Sequence, residues 1–234
     1  MIDVRNINAF YGGSHVLHDI DINIPTRARV AVIGRNGAGK STLLKSIMNA
    51  GPRTEGDIRW EGASISRLPA YKRARLGIQL VPEDRRIYQH LTVVENILMS
   101  SSATVTGRTP LDISEMVARF PMIGPILERR GGQISGGQQQ MVAIARAIAC
   151  RPRALLLDEP TEGLAPAIVE KLADDVRAVA EREDMALLLC EQNIWFAKKT
   201  TDRVYVMDAG RIAFSGSWAE FDAQPEIKQR HLAV

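Results

Sequence analysis

The chain reads as an α/β protein with a parallel core sheet, an antiparallel β subdomain at its N-terminus and a helical insert. Three observations predict this. Short, continuously apolar runs recur in the second half ("RALLLD", "MALLLC"), each followed by residues with helical spacing. That is the pattern of strands buried on both faces and joined by helical crossovers. The first 24 residues instead alternate apolar and polar side chains with period two, as half-exposed antiparallel strands do. From about residue 84 to 150, helical spacing dominates. All 234 residues are expected to form one domain, with the insert as its helical subdomain.

Taken in order, "MIDVRNINAF" and "SHVLHDIDINI" are the alternating strands. "RARVAVIG" is a buried strand ending in a Gly-rich turn, and "KSTLLKSIMNA" is a helix stopped by Gly51-Pro52. "GDIRWEGASI" reads as a hairpin, "PAYKRARL" as a short helix and "GIQLVP" as another buried strand. "TVVENILMS" starts with Thr92 as N-cap and Glu95 three residues on as its capping-box partner. "SSATVTGRTP" reads as an exposed loop and "LDISEMVARF" as a helix. "GGQQQMVAIARAIAC" is a strong helix with Met141, Ile144, Ala145 and Ile148 on its apolar face. Strand and helix then alternate through "RALLLDEP", "PAIVEKLADDVRAVAERE", "MALLLCEQ" and "IWFAKKTT". "RVYVMDAGRIAFSG" closes the chain as a hairpin, followed by a short helical tail.

Composition narrows the function classes. A hydrophobic fraction of 45% and a charged fraction of 24% are ordinary for a globular protein. The formal net charge is +3 with no strongly basic tail, which argues against nucleic acid as the main ligand. The N-terminus carries Asp3 and Arg5 and no apolar signal region, and no apolar run approaches the ~20 residues of a membrane span. Cys150 and Cys190 are expected to pack as small hydrophobes in a reducing compartment. The expected location is cytoplasmic; work at a membrane would need another subunit to supply the membrane part.

"GRNGAGKST" matches G-x-x-x-x-G-K-[ST] at Gly34, Gly39, Lys40 and Ser41, between a buried strand and a helix. The pattern resembles the phosphate-binding loop of P-loop NTPases. Its glycines let backbone N–H groups converge on phosphate oxygens, and the helix N-terminus adds partial positive charge. Lys40 is placed for the β- and γ-phosphates, the Ser41 hydroxyl for Mg²⁺ and Thr42 for the α-phosphate; Asn36 and Gly37 lie within the same loop. "ALLLDEP" delivers Asp158 and Glu159 to the tip of an apolar strand, where charge is costly unless paired with a cation. Asp158 suits Mg²⁺ through water, and Glu159 suits polarising the attacking water.

"QISGGQQQMVAIARA" decides between kinds of P-loop protein. Ile134-Ser135-Gly136-Gly137-Gln138 resembles the LSGGQ signature of ATP-binding cassette (ABC) proteins, and the resemblance extends over essentially the whole chain. It implies an ABC ATPase that binds ATP and Mg²⁺. The Ser135 hydroxyl and the Gly136 and Gly137 amides would meet the γ-phosphate of a nucleotide held by a second ATP-binding subunit, identical or similar, in a head-to-tail dimer. Tyr11 in "AFYGGSHVL" occupies the place of an adenine-stacking aromatic. Gly163-Leu164-Ala165-Pro166 occupies the segment that crosses to the other protomer.

Within that family, "LVPEDRRIYQHLTVVENIL", "EPTEGLAP" and "CEQN" look like the ATP-binding subunits of bacterial importers for branched-chain and other hydrophobic amino acids. "YGGSH", "RRGG", "SGGQQQ" and "PTEG" lean toward the similar urea and short-chain amide branch, so both branches stay open. Two positions depart from the general pattern: Glu83 stands where a Mg²⁺-contacting Gln is common, and Gln192 where His is common. The amino acid branch often shows both replacements. Glu83 still offers oxygen to Mg²⁺, and Gln192 still offers an amide N–H to a γ-phosphate oxygen. The expectation is a working ATPase.

The resemblance further implies membrane-spanning permease subunits, a periplasmic or surface solute-binding protein that acts indirectly, and a peripheral position on the inner face of the membrane. Arg85, Arg86, Tyr88 and Leu91 look exposed and fall where the family receives a short helix of the permease. DNA-repair relatives carry long coiled coils and translation-associated relatives carry two cassettes; this chain shows neither. An exporter subunit or a pure binding module is the remaining alternative, and Glu159 argues against the latter.

Overall fold

A computed structural model describes residues 1–100 and 105–232. Residues 101–104 of the expected loop "SSATVTGRTP" lie outside the described residues. The first two strands are β1 (Ile2–Tyr11) and β2 (Ser14–Ile24), followed by β3 (Arg29–Ile33) and α1 (Lys40–Met48). Next come β4 (Arg53–Trp60), β5 (Ala63–Ser64), α2 (Ala70–Arg75) and β6 (Ile78–Val81). The insert holds α3 (Val93–Leu98), α4 (Ile113–Arg119), two 3₁₀ segments at Pro121–Ile126 and Gly131–Gln133, and α5 (Gly136–Ala149). Then follow β7 (Ala154–Asp158), α6 (Pro166–Arg182), β8 (Ala186–Glu191), α7 (Ile194–Thr200), β9 (Arg203–Asp208), β10 (Arg211–Ser217), α8 (Trp218–Asp222) and α9 (Pro225–His231).

The strands form two sheets. One is antiparallel, in the order β2-β1-β4-β5; the other runs β10-β9-β3-β8-β7-β6. In the second sheet β9, β3, β8, β7 and β6 are parallel, and β10 adds an antiparallel edge. The apolar runs read as buried strands are covered on both faces. Ala31, Ile33, Leu155, Leu157, Leu187 and Leu189 enter one core, shared with α3 to α8. Val30, Val32, Leu156, Leu188 and Cys190 enter the other, shared with α1 and the antiparallel sheet. Alternate residues of each strand therefore serve opposite cores, as the period of two requires.

The strict alternation expected for the first strand breaks at one place. Arg5 and Asn6 are exposed in succession, Asn6 has φ of 49°, and the pairing of β1 with both neighbours shifts there. An extra residue bulges out and the inward face resumes at Ile7. The Thr92 cap forms as expected: its hydroxyl accepts from the Glu95 N–H at 3.1 Å and the Thr92 N–H donates to Glu95 Oε2 at 2.7 Å. Met141, Ile144, Ala145 and Ile148 all lie in the core beneath α5. Both cysteines are buried thiols. No helix among the described residues is long and apolar enough to cross a membrane.

Candidate active site

The strand order assembles the site. β3, β8 and β7 are neighbours and point the same way, with Ile33 paired to Glu191 and Asp158 paired to Cys190. Their carboxyl ends thus form one rim, where open α/β sheets hold ligands. The phosphate loop leaves β3, Asp158 and Glu159 leave β7, and Gln192 leaves β8. Three motifs far apart in sequence meet because their strands lie side by side.

Close packing dictates the loop's glycines. A Cβ on Gly34 would stand 2.4 Å from the Met207 carbonyl oxygen. Gly39, the residue before α1, has φ of 109°, and a Cβ there would meet Leu17 at 2.8 Å. Asn36 and Gly37 lie on the exposed crest, whereas Gly39, Lys40 and Thr42 are buried beneath it.

The Lys40 side chain is 2% exposed and its ammonium meets three acceptors. It donates to the carbonyls of Gly34 at 2.7 Å and Arg35 at 3.0 Å, and pairs with Glu159 Oε1 at 2.9 Å. Three donors against three acceptors saturate it. Glu159 has φ of 43°, uncommon for a residue with a side chain, and its N–H donates to the Cys190 carbonyl at 2.9 Å. The Ser41 hydroxyl donates to Asp158 Oδ1 at 2.9 Å. Burial pushes the Asp158 carboxyl above the usual carboxylate range, and that hydrogen bond partly offsets it. Glu83 is likewise raised, first by desolvation and then by the carboxylates of Glu162, Glu159 and Asp158.

Two clefts open at this rim. Asn36, Glu159, Thr161, Glu191, Gln192 and Asn193 line one, and Lys45, Glu83, Asp84, Arg86 and Asp158 border the other. Gln192 is exposed at the first. The donors at the second fit a hard divalent cation: one hydroxyl (Ser41) and two carboxylates (Asp158, Glu83). Among the described residues no group of three or more His, Cys, Asp or Glu side chains is poised for a metal.

Two predicted parts stand apart from the rim. Tyr11 closes β1 at an exposed hairpin, while its neighbour Phe10 stacks on His15 with ring centroids 4.3 Å apart. Ser135 caps α5: its hydroxyl accepts from the Gln138 N–H at 3.3 Å, and its own N–H donates to Gln138 Oε1 at 2.9 Å. Sequence reasoning had not connected this helix start to the rim. Arg85 does so, donating from Nε to Gln140 Oε1 at 3.1 Å and from Nη2 to the Glu162 carbonyl at 3.0 Å.

The expectation that Arg85 and Leu91 are exposed needs correction, since both are half-buried. Arg85 and Arg86 sit in the left-handed region, with φ of 57° and 48°. The Arg146 guanidinium holds that corner by donating to both of their carbonyls, at 3.0 and 2.8 Å. Tyr88 is exposed and Arg86 remains so. Both line a groove with Leu80, Met99, Ala143 and Arg146.

Glu191, present in the sequence reading only as part of "CEQN", closes β8 at this rim. It is 1% exposed. Its Oε1 accepts from the Thr161 N–H at 3.0 Å and the Thr161 hydroxyl at 2.7 Å, and its Oε2 accepts from the N–H groups of Gln192 and Asn193, both at 2.9 Å. Burial raises its pKa, and these four donors work against the shift. A carboxylate directly before a polar strand end was the available signal.

Known proteins place this geometry. The ABC transporter family profile matches residues 17–162. The chain is 36% identical over 232 residues to the high-affinity branched-chain amino acid transport ATP-binding protein BraG of Pseudomonas aeruginosa, covering 99% of both chains. It is 34% identical over 217 residues to the probable branched-chain amino acid transport ATP-binding protein LivF of Archaeoglobus fulgidus, covering 93% of this chain and 92% of that one. Other relatives are named for transport of glutamine, general L-amino acids and cystine. The fold matches the dimeric structure of MJ0796, a bacterial ABC transporter cassette, with a TM-score of 0.80 at 24% identity, over 93% of this chain and 98% of that one. The chain is an ATP hydrolase and belongs to the ATP-binding subunits of ABC transporters.

Proposed function

We propose that this subunit hydrolyses ATP to drive uptake of branched-chain, hydrophobic amino acids by a bacterial importer. The observation that carries the reading is the convergence of Lys40, Ser41, Asp158, Glu159 and Gln192 on one rim, together with full-length similarity to two branched-chain amino acid transport proteins. The single cassette works as one domain on the cytoplasmic face, beside permease subunits that span the membrane. A solute-binding protein on the outer side acts on it indirectly, and nucleic acid has no part.

Each residue's role follows from its chemistry. Tyr11 stacks on adenine. The loop Gly34–Thr42, with Asn36 and Gly37 at its crest, wraps the phosphates with backbone N–H groups. Lys40 exchanges its contact with Glu159 for the β- and γ-phosphates, so ATP binding frees the carboxylate that must take a proton from the attacking water. The water oxygen then bonds to the γ-phosphorus as the bond to the β–γ bridging oxygen breaks. Ser41, Asp158 and Glu83 would hold Mg²⁺, which would supply positive charge to offset that developing on the phosphate oxygens. Gln192 donates its amide N–H to a γ-phosphate oxygen. Ser135, Gly136, Gly137 and Gln138 complete the site of a second ATP-binding subunit, so two head-to-tail copies or close relatives form two composite sites. The groove lined by Tyr88, Arg86 and Met99 receives a short helix of the permease.

Uptake of urea or a short-chain amide is the second reading, favoured by "YGGSH", "RRGG" and "SGGQQQ". Reconstitution of the subunit with the permease and binding proteins of neighbouring reading frames separates the two. ATP-dependent accumulation of labelled leucine is expected. Accumulation of labelled urea in its place would replace the first reading with the second.

A further inference from the structure

Glu191 lies at the centre of the rim, yet none of the roles above uses it. Its two oxygens divide their work. Oε1 takes both donors of Thr161, in the loop that starts at Glu159; Oε2 takes the backbone N–H groups of Gln192 and Asn193. Thr161 is two residues from Glu159, and the Glu162 N–H donates back to the Glu159 carbonyl at 3.2 Å. Asn193 in turn caps α7, its Oδ1 accepting from the Phe196 N–H at 3.1 Å. One buried side chain thus ties the segment bearing Glu159 to the segment bearing Gln192. A carboxylate is needed because all four neighbouring groups donate, and only an ionised acid offers two oxygens that both accept without donating.

We propose that Glu191 is a positioning residue for ATP hydrolysis, setting the separation of Glu159 and Gln192 across the γ-phosphate through one oxygen on each segment. This rests on the reading that Glu159 activates water and Gln192 contacts the γ-phosphate. The isosteric change Glu191→Gln turns one acceptor into a donor. The Thr161 side accommodates that donor more easily, because the Thr161 hydroxyl can turn to accept; the Thr161 N–H then loses its acceptor. The Glu159 loop then keeps one hydrogen bond to residue 191 in place of two, while the Gln192 and Asn193 amides keep theirs. Small misplacements of reacting groups cost up to about a hundredfold in rate.

The test measures turnover, affinity for labelled ATP and thermal midpoint in the transporter assembled with its permease subunits. The proteins are wild type, Glu191→Gln, Thr161→Val, the double variant and Glu159→Gln. Glu191→Gln is expected to turn over about ten- to a hundredfold more slowly, and Thr161→Val about three- to tenfold, each with ATP affinity within about threefold of wild type. The double variant should not show a loss equal to the product of the single losses, because both changes act on the same arm. A merely structural role would lower the thermal midpoint and leave turnover of the folded protein untouched. Turnover within twofold of wild type for both single variants overturns the proposal, as does a double loss equal to the product of the single losses. If Glu191→Gln does not fold, Thr161→Val decides alone: wild-type turnover overturns the proposal and slower turnover at unchanged affinity supports it. Full activity of Glu159→Gln would defeat the underlying reading and the proposal with it. An inactive Glu159→Gln beside a fully active Glu191→Gln defeats the positioning role alone.

Discussion

Replacing Arg73 should cost this protein much of its stability without touching nucleotide binding. Its side chain is 1% exposed and, among the described residues, no carboxylate pairs with it. The guanidinium instead reaches four backbone carbonyls: Leu68 from Nε at 3.0 Å, Ser46 and Ile47 from Nη1 at 3.1 and 2.6 Å, and Ser66 from Nη2 at 2.8 Å. Ser46 and Ile47 belong to the last turn of α1, whose carbonyls carry partial negative charge. A fixed fork of donors suits four such acceptors in a way that a point charge does not.

The magnitude follows from two opposing contributions. Burial pushes the Arg73 pKa from 12.5 down to about 10, a penalty of roughly 3 kcal/mol on the charged form at about 1.4 kcal/mol per unit. Four hydrogen bonds from a charged donor, taken at ~1.5–2 kcal/mol each, contribute about 6–8 kcal/mol. Arg73→Met keeps the apolar stem and removes both contributions, for a net loss of about 3–5 kcal/mol, or roughly 6–20 °C in thermal midpoint at this chain length. Urea denaturation followed by tryptophan fluorescence reads it directly, since Trp60 and Trp218 are buried. Lys40 lies at the opposite end of α1, about 10 Å from these contacts along the helix, so ATP affinity of the folded protein should stay within about threefold. Arg73→Lys should fall between the two. A loss below about 1 kcal/mol for Arg73→Met would refute the ledger, and full recovery by Arg73→Lys would refute the role of the fork.

Three further outcomes are expected. Glu159→Gln should retain ATP and stop hydrolysis, so that sedimentation with ATP and Mg²⁺ shows dimers, repeated with the permease subunits if the isolated chain stays monomeric; monomers in both runs would contradict the composite site. Gln192→Ala should lower turnover by about ten- to a hundredfold, the equivalent of a charge-assisted hydrogen bond of roughly 1.5–3 kcal/mol, and Gln192→His should restore part or all of it; equal rates for wild type and Gln192→Ala would remove the phosphate contact. Burial raises the folded-state pKa of Glu191 above its ordinary 4.5, so the folded protein holds that proton more tightly than the unfolded chain. The resulting stability is present below about pH 4.5 and lost as pH rises through the folded value. Urea denaturation should therefore show the stability of wild type relative to Glu191→Gln decreasing as pH increases over that window, and a difference that grew with pH would reverse the assignment.

What the sequence shows and what it hides divide along a physical line. Chemistry carried by a contiguous motif is legible: "GRNGAGKST", "LLLDEP" and "SGGQ" each name their residues, and the periodicity around them names the strand or helix that presents them. Capping is equally local, which is why Thr92 and Glu95 close on each other as their spacing predicts. Strand order is not local. Nothing in "RALLLD" or "MALLLC" says that β7 and β8 lie together beside β3, and it is that adjacency which brings Asp158, Gln192 and Lys40 to one rim. The bulge at Asn6 escaped for a related reason: a period-two pattern with one slipped residue still reads as a strand, and only its partners reveal the slip.

Side chains whose partners are distant in sequence are the hardest to read. Arg85 looked like one member of a solvated basic pair, yet its guanidinium spans from Gln140 on the signature helix to Glu162, 55 and 77 residues away. Glu191 enters the sequence reading only within "CEQN", yet two of its four donors come from Thr161, 30 residues back. Arg85 links the signature helix to the loop after Glu159, and Glu191 links that loop to the segment bearing Gln192. A motif survives in sequence as a pattern because its residues act together on one ligand over a few positions. A tie between motifs involves one residue on each side and leaves no pattern, so the contacts that hold Glu159, Gln192 and the signature helix in register become readable only when the strands are set in order.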